Sequence, residues 1–259
     1  MFLCKEKIIC CYTNQKIIPF KEVVIMPARP AKTLGVLGGM GPAACAEFLR
    51  ILARDAPAKN DSQHPKIIML SDPDTPDRSD GLMGIGPDPL PVIRKNLLQL
   101  AEWGADILAV PCNTAHYFID RFRDELPVPL VHIVEATVGA AKELSKGNCS
   151  WLLATDGTQK SLIYPSCAAK MHYHFLKPSD EQQEKIQSCI RYVKAGDMKT
   201  AGEVMNAVVS ELWRERDVPV TMGCTELPLA YAVSGLPEDK QVSSLKALSD
   251  ECIRVLYES

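Results

Sequence analysis

The chain has 259 residues, of which 46% are hydrophobic and 24% are charged, and its formal net charge is −3. This length suits two small domains that share a cleft, and the composition is typical of a globular protein with a sizeable core. The small negative charge disfavours nucleic acid and anionic lipid as partners, because phosphate binding requires clustered Lys and Arg. No apolar run approaches the roughly 20 residues of a membrane helix, so we expect no membrane contact.

The chain contains 10 cysteines, which form neither CxxC pairs nor a Cys/His array with zinc spacing. No metal site is therefore expected. A chain of this length does not need a disulfide framework, so the reducing cytoplasm is the expected location.

Residues 1–32 show no periodicity and contain three prolines, which predicts a flexible N-terminal tail. From Thr33 onward, short apolar runs alternate with helical stretches. Strands are predicted at LGVLGG, KIIML and ADILAVP, with helices at PAACAEFLRILARD and VIRKNLLQLAEWG. The second half repeats the pattern, with strands at SWLLATDGT and VPVTMG and helices at EQQEKIQSCIRYVKAG and AGEVMNAVVSELWRER.

Strands separated by helices predict parallel βαβ units, and thus an α/β fold. We expect two Rossmann-like parallel-sheet modules related by an approximate two-fold axis. The first would comprise residues 33–131 and 237–259, and the second residues 132–236. Because ligands of open α/β sheets bind outside the carboxyl ends of the strands, the cleft between the modules is the predicted site.

Two cysteines occupy matching places in the two halves, Cys112 in ILAVPCNTAH and Cys224 in VTMGCTELP. Removing a proton from one face of a carbon and returning it to the other face requires two bases of similar strength. One such cysteine alone is equally well explained as a small buried residue at a strand end. Its recurrence, followed by Thr in both halves, favours an acid/base pair, and a following helix N-terminus would lower the pKa of Cys112.

The glycine-rich loop GVLGGMGP lies between a predicted strand and a predicted helix, so its backbone N–H groups suit a small anion such as a carboxylate. It lacks the third glycine of a dinucleotide fingerprint and the Lys-Ser/Thr of a P-loop, which disfavours a nucleotide. ATDGT occupies the corresponding place in the second half and would form the other side of the cleft.

Four further residues have both a functional and a structural interpretation. Arg78, in SDPDTPDRSD, is either an anion ligand or a loop charge paired with a neighbouring aspartate. Lys194, in IRYVKAG, either binds substrate or complements a helix dipole. His116 and Glu226 follow the two cysteines closely and are candidates for tuning the thiols.

Six motifs, in this order, resemble the aspartate/glutamate racemase superfamily and specifically its aspartate racemase branch: GVLGGMGP, PDR, PCNTAH, ATDGT, VKAG and GCTELP. The resemblance covers nearly all of the chain from Thr33 onward. Glutamate racemases of the cell-wall type usually show DSGVGG and GCTH, where this chain has GGMGP and GCTE. Relatives that decarboxylate arylmalonates keep only one of the two cysteines.

The resemblance implies that Cys112 and Cys224 are the catalytic acid/base pair. Arg78 and Lys194 would bind substrate carboxylate and so select a dicarboxylic amino acid. The remaining implied substrate-binding residues are Met40, Asn113, Thr114, Thr158 and Thr225. His116 and Glu226 would support the catalytic and substrate-binding residues without contacting the substrate. No metal ion and no pyridoxal cofactor is implied, and the expected assembly is a homodimer.

The chain departs from the family in two places. Cys45 stands where relatives more often have Thr, and the segment KQVSSLKALSDE lacks an Asp and a His that are often found there.

The sequence, with this resemblance, predicts a cofactor-independent racemase that interconverts L- and D-aspartate. Two alternatives stay open, a racemase of glutamate or another amino acid and a non-catalytic amino-acid-binding protein.

Overall fold

The computed structural model describes residues 29–258, so most of the predicted N-terminal tail lies outside the described residues. Two separate four-stranded parallel sheets form the framework. The strands of the first sheet are β1 (Thr33–Gly38), β2 (Lys66–Ser71), β3 (Ile107–Ala109) and β4 (Leu130–Val131). Those of the second are β5 (Cys149–Leu153), β6 (His174–Leu176), β7 (Val220–Met222) and β8 (Gln241–Ser243).

Eleven α-helices within residues 29–258 surround the sheets. Those of the first half are α1 (Pro42–Asp55), α2 (Arg78–Met83), α3 (Leu90–Glu102), α4 (Ala115–Ile119) and α5 (Ile133–Leu144). Those of the second half are α6 (Asp156–Ser161), α7 (Ile163–Lys170), α8 (Asp180–Lys194), α9 (Met198–Glu215), α10 (Leu227–Ala232) and α11 (Ser244–Tyr257). None of these helices has the length and apolar character that crossing a membrane requires.

The two sheets have the same strand order, β2-β1-β3-β4 and β6-β5-β7-β8. In the first, Leu34 pairs with Ile107, and in the second, Trp151 pairs with Val220. The middle strands β1, β3, β5 and β7 are buried throughout, as expected for parallel strands covered by helices on both faces. The predicted α/β class with two parallel-sheet modules is confirmed.

Local sequence signals explain where several helices begin. Pro42 lies in the first turn of α1, where its missing N–H costs no hydrogen bond. Helix α8 begins with a capping box, in which Ser179 and Gln182 each bind the other's backbone N–H. Both helices place apolar residues on one face. This face packs against the first sheet in α1 and against the second sheet in α8.

The C-terminal segment divides differently from the predicted boundary at residue 237. Strand β8 pairs with β7 in the second sheet, with Val220 opposite Gln241. The helix that follows, α11, packs against α1 of the first half and against α5. The prediction that all of 237–259 belongs to the first module is therefore wrong for β8, because the strand completes the second sheet before the helix crosses over.

Candidate active site

The two cysteines follow equivalent strands of the two sheets. Cys112 lies after β3 and before α4, and Cys224 lies after β7 and before α10. Both are free thiols, with 6% and 4% of their surface exposed. They line the same cavity, which lies at the carboxyl ends of both sheets.

The cavity brings together most of the residues that the sequence singled out. Its lining consists of Met40, Asp77, Arg78, Ser79, Cys112, Asn113, Thr114, Thr155, Lys194, Cys224, Thr225 and Glu226. Two predicted site residues, Thr158 and His116, are fully buried and do not line it. Three lining residues, Asp77, Ser79 and Thr155, are absent from the predicted set, although Thr155 lies in the ATDGT motif.

The thiol of Cys224 donates a hydrogen bond to a carboxylate. The distance from Cys224 Sγ to Glu226 Oε2 is 3.0 Å, and Glu226 is itself buried. Burial first, and then the charge and hydrogen bond of Glu226, raise the pKa of Cys224 well above its ordinary value, although the charge of Lys194 lowers it in part. Cys224 is therefore a neutral thiol, suited to donate a proton.

Glycine at position 41, in the GGMGP loop, lets Glu226 approach. A Cβ at Gly41 would lie 2.7 Å from Glu226 Oε1, which is closer than non-bonded atoms tolerate. The glycine-rich loop thus accommodates a carboxylate of the protein itself, a role that the sequence motif alone did not reveal.

His116 contacts the backbone carbonyl group of Cys112. Its Nδ1 lies 2.9 Å from the carbonyl oxygen of Cys112, and its Nε2 accepts a hydrogen bond from the N–H of Ile133. The acceptor role of Nε2 places the proton on Nδ1 in the neutral ring. Burial, and then the neighbouring His132, lower the pKa of His116 well below its usual range. His116 therefore holds the loop rather than contacting the Cys112 sulfur.

Asn113 is held by two buried hydroxyl groups. The phenol of Tyr164 donates to Asn113 Oδ1 at 2.6 Å, and Asn113 Nδ2 donates to Ser244 Oγ at 3.0 Å. Ser244 is the first residue of α11, and Tyr164 lies in α7. Sequence reasoning missed both, since a Tyr and a Ser far along the chain carry no local signal.

Three threonine hydroxyls connect the two halves. The hydroxyl of Thr114 lies 2.8 Å from that of Thr158 and 3.1 Å from that of Thr155. Thr155 also caps α6 by accepting from the N–H of Thr158. Thr158 thus lies behind Thr114 and Thr155 and fixes their hydroxyl groups at the cavity wall.

Arg78 begins helix α2 and does not lie in an irregular loop. Asp77 caps this helix by accepting from two backbone N–H groups. The guanidinium donates through Nη1 to the carbonyls of Thr75 and Pro76, at 3.2 and 3.0 Å, and its buried Nε has no partner. No ion pair joins Arg78 to any acidic residue within 29–258, although the charge of Arg78 contributes to lowering the pKa of Asp77.

Lys194 adds a second positive charge at the cavity. It is the last residue of α8, and it forms no ion pair with the rest of the described chain. Burial alone would raise the pKa of Asp77, but backbone hydrogen bonds from Asp80 and Ser79 and the charges of Arg78 and Lys194 lower it. The site is thus rich in charge, with cations available for an anionic ligand.

The two modules contact each other beside the cavity. Helix α2 of the first half packs against α6 of the second. A Cβ at Gly157 would lie 2.6 Å from the hydroxyl oxygen of Ser79, so glycine is needed for this approach. Ser79 also lines the cavity, so this contact between the modules forms part of the cavity wall.

No group of three or more His, Cys, Asp or Glu side chains in the described part of the chain is arranged to hold a metal ion.

Residues 37–246 match the Asp/Glu/hydantoin racemase family. The chain is 28% identical over 200 residues to the broad specificity amino-acid racemase RacX of Bacillus subtilis, covering 75% of this chain and 85% of that protein. It is 26% identical over 190 residues to the glutamate racemase of Staphylococcus epidermidis, covering 64% of this chain and 68% of that protein. The structure of Picrophilus torridus aspartate racemase superposes with a TM-score of 0.76 at 26% identity, covering 87% of this chain and 94% of that chain.

The chain belongs to the Asp/Glu/hydantoin racemase family, since the match extends over most of its length. Amino-acid racemase is the class of activity that this membership supports. The relatives carry different substrate names.

Proposed function

We propose that this protein is a cofactor-independent aspartate racemase that uses Cys112 and Cys224 as its two bases. The observation that carries the proposal is the arrangement of the thiols. They follow equivalent strands of two separate sheets and meet in one enclosed cavity. A substrate bound between them would present opposite faces of its α-carbon to the two sulfur atoms.

In the proposed reaction, the thiolate of one cysteine removes the α-proton and becomes a thiol. The thiol of the other cysteine delivers its proton to the opposite face and becomes a thiolate. In the resting enzyme Cys224 is the natural donor, because Glu226 and burial favour its thiol form. Cys112 would then be the first base, and the reverse reaction exchanges the two roles.

The intermediate carbanion requires stabilisation, because an α-proton is far less acidic than a thiol. Fixed donors in a water-excluded cavity supply this more effectively than solvent does. Asn113 has a second amide N–H without a partner in the described chain, and Thr114 and Thr225 place hydroxyl groups at the cavity wall. We assign these three residues to the α-carboxylate and ammonium groups, with Met40 as an apolar contact.

Two cations support a dicarboxylic substrate. Arg78 presents a buried Nε without a partner, and Lys194 is unpaired among the described residues. A planar guanidinium matches a carboxylate with two hydrogen bonds.

The test is to incubate a panel of L-amino acids with the enzyme in D2O and to follow deuterium at Cα together with chiral chromatography. We expect deuterated D-aspartate from L-aspartate at the highest rate. Faster turnover of glutamate, or of several amino acids alike, would replace the substrate assignment, and both activities occur among the similar proteins by name. No deuterium incorporation with any amino acid would indicate a binding protein.

The homodimer and the cytoplasmic location expected from the sequence are also proposals. Light scattering after size-exclusion chromatography tests the first, with about twice the 28.5 kDa chain mass expected. Fractionation of the source cells tests the second.

A further inference from the structure

Tyr164 contacts both cysteine loops at once. Its side chain is fully buried, and its hydroxyl donates to Asn113, the residue directly after Cys112, at 2.6 Å. Its ring lies against Gly223, the residue directly before Cys224. A Cβ at Gly223 would lie 3.0 Å from Cε2 of the ring and 3.2 Å from Cζ. The absence of a side chain at position 223 therefore lets the ring pack directly on the backbone of the second loop.

The position of the Tyr164 ring is itself well fixed. Phe175 of β6 packs edge-on against it, with ring centroids 5.6 Å apart at 81°. Burial raises the pKa of Tyr164 far above its usual value, so the phenol keeps its proton and can donate to Asn113 at every working pH. The second module thus presents a rigid hydrogen-bond donor to the first cysteine loop.

We propose that Tyr164 is a positioning residue that sets the spacing between the two catalytic cysteines. The inference rests on the proposed racemase function. A two-base reaction needs both sulfur atoms in line with one α-carbon, and each belongs to a different sheet. Tyr164 joins the two loops by one hydrogen bond and one ring contact, so it fixes the geometry on which the proton transfers depend. It does not line the cavity.

The first experiment removes only the hydroxyl group, in Tyr164→Phe. Because a misplacement of about 1 Å costs up to about 100-fold in rate, we expect kcat for L-aspartate to fall by roughly 10- to 100-fold. KM should change less than kcat, since Arg78 and Lys194 are untouched and Asn113 keeps its hydrogen bond to Ser244. A role in stability alone would instead lower the melting temperature and leave kcat of the folded enzyme unchanged.

Tyr173→Phe is the matched control. Tyr173 is also buried, packs edge-on against the same Phe175, and donates its hydroxyl hydrogen bond to Ser150, outside the cavity lining. This variant loses a comparable hydrogen bond and should keep kcat within about twofold of the parent. A loss equal to that of Tyr164→Phe would show that any buried phenol matters and would overturn the proposal.

A double variant tests whether Tyr164 acts through Asn113. In an Asn113→Ala background the hydrogen bond is already gone, so Tyr164→Phe should cause little further loss of kcat. A full additional loss there, or an unchanged kcat in the single variant, contradicts the proposal.

Alkylation of the thiols tests the positioning role of Tyr164 independently of the proposed racemase activity. Iodoacetamide labelling of Cys112, followed by peptide mass spectrometry, needs no substrate. We expect Tyr164→Phe to speed this labelling at least about fivefold and Tyr173→Phe to leave it unchanged. If the parent racemises no amino acid, the function fails, and the labelling alone decides on Tyr164: an unchanged rate refutes the positioning role.

Discussion

The two cysteine loops have the same place in the fold but different chemical surroundings. Cys112 and Cys224 each follow the third strand along their sheet. The thiol of Cys224 donates to the carboxylate of Glu226, whereas the first loop is held through the Cys112 carbonyl by the neutral ring of His116. The repeat therefore provides two thiols in different surroundings, and burial and then Glu226 raise the pKa of Cys224.

Burial, and then the neighbouring carboxylate of Glu226, favour the protonated form of Cys224. In the proposed mechanism, this difference between the two loops gives the resting enzyme a preferred proton donor. If both thiols had the same surroundings, neither would be preferred. Substitutions in the two loops, or of the charges that serve both loops, test this comparison.

Removing either thiol should have the largest effect. In the proposed mechanism each sulfur serves one face of the α-carbon. Racemisation by Cys112→Ala or Cys224→Ala should therefore fall by about 1,000-fold or more while the fold persists. Chiral chromatography measures racemisation and circular dichroism checks the fold. Each variant is expected to retain at most one-sided exchange of the α-proton in D2O. Full activity in either variant would exclude the two-base mechanism.

The second largest effect is expected for Arg78→Leu. Leaving a substrate carboxylate without its partner costs on the order of 2 to 5 kcal/mol, so kcat/KM for aspartate should fall by at least about 30-fold. Arg78→Lys keeps the charge without the fork and should be intermediate. The parent should turn over alanine very poorly. If Arg78→Leu leaves the aspartate value unchanged, or if the parent uses alanine as well as aspartate, the dicarboxylate assignment fails.

Glu226→Gln should make the two loops more alike. Removing the negative charge lowers the pKa of Cys224, so this thiol will lose its proton at a lower pH than in the parent. The limb of the activity profile that falls as the donor deprotonates should shift to lower pH, with kcat reduced roughly 10-fold. The pH dependence of Cys224 alkylation measures the shift directly.

Glu211→Gln supplies the control for Glu226→Gln. Glu211 pairs with Lys185 between α8 and α9 and does not line the cavity. Its pH profile should match the parent's. A Glu226→Gln profile that also matches the parent would mean that the carboxylate does not tune Cys224.

The framework of this protein was readable from its sequence because its signals are local. The strand-helix alternation predicted both parallel sheets, and PAACAEFLRILARD corresponds to α1 residue for residue. The matching positions of Cys112 and Cys224 predicted a shared cleft. Each of these inferences depends on periodicity or on spacing within a short stretch of chain.

Other parts of the site depend on contacts between distant segments and had no local signal. Tyr164 and Ser244 reach Asn113 across 51 and 131 residues. The sequence predicts β8 in the first module, whereas the strand belongs to the second sheet. A short strand followed by a helix does not reveal which sheet it joins. The sequence marked Glu226 as a neighbour of Cys224, but only the fold shows that Gly41 makes room for its carboxylate.

The smallest effect should appear in stability at acid pH and concerns the first loop. His116 is neutral in the folded protein, because burial and then His132 and Arg123 lower its pKa well below the usual 6.5. The unfolded chain binds a proton at about that pH and the folded chain does not. The stabilising contribution of the neutral ring is thus complete above pH 6.5 and is lost as the pH falls towards the folded pKa, by up to about 1.4 kcal/mol per pH unit.

His116→Asn removes this titration while offering an amide N–H to the Cys112 carbonyl. We expect its unfolding free energy, measured by denaturant titration, to fall less steeply between pH 6.5 and 5 than that of the parent. His174→Asn is the control, because His174 is exposed and its replacement should leave the slope unchanged. The comparison uses slopes, since any constant loss from the substitution cancels. Equal slopes in all three proteins would mean that His116 binds protons equally in the folded and unfolded chains, and the neutral support assigned to the Cys112 loop would then be wrong.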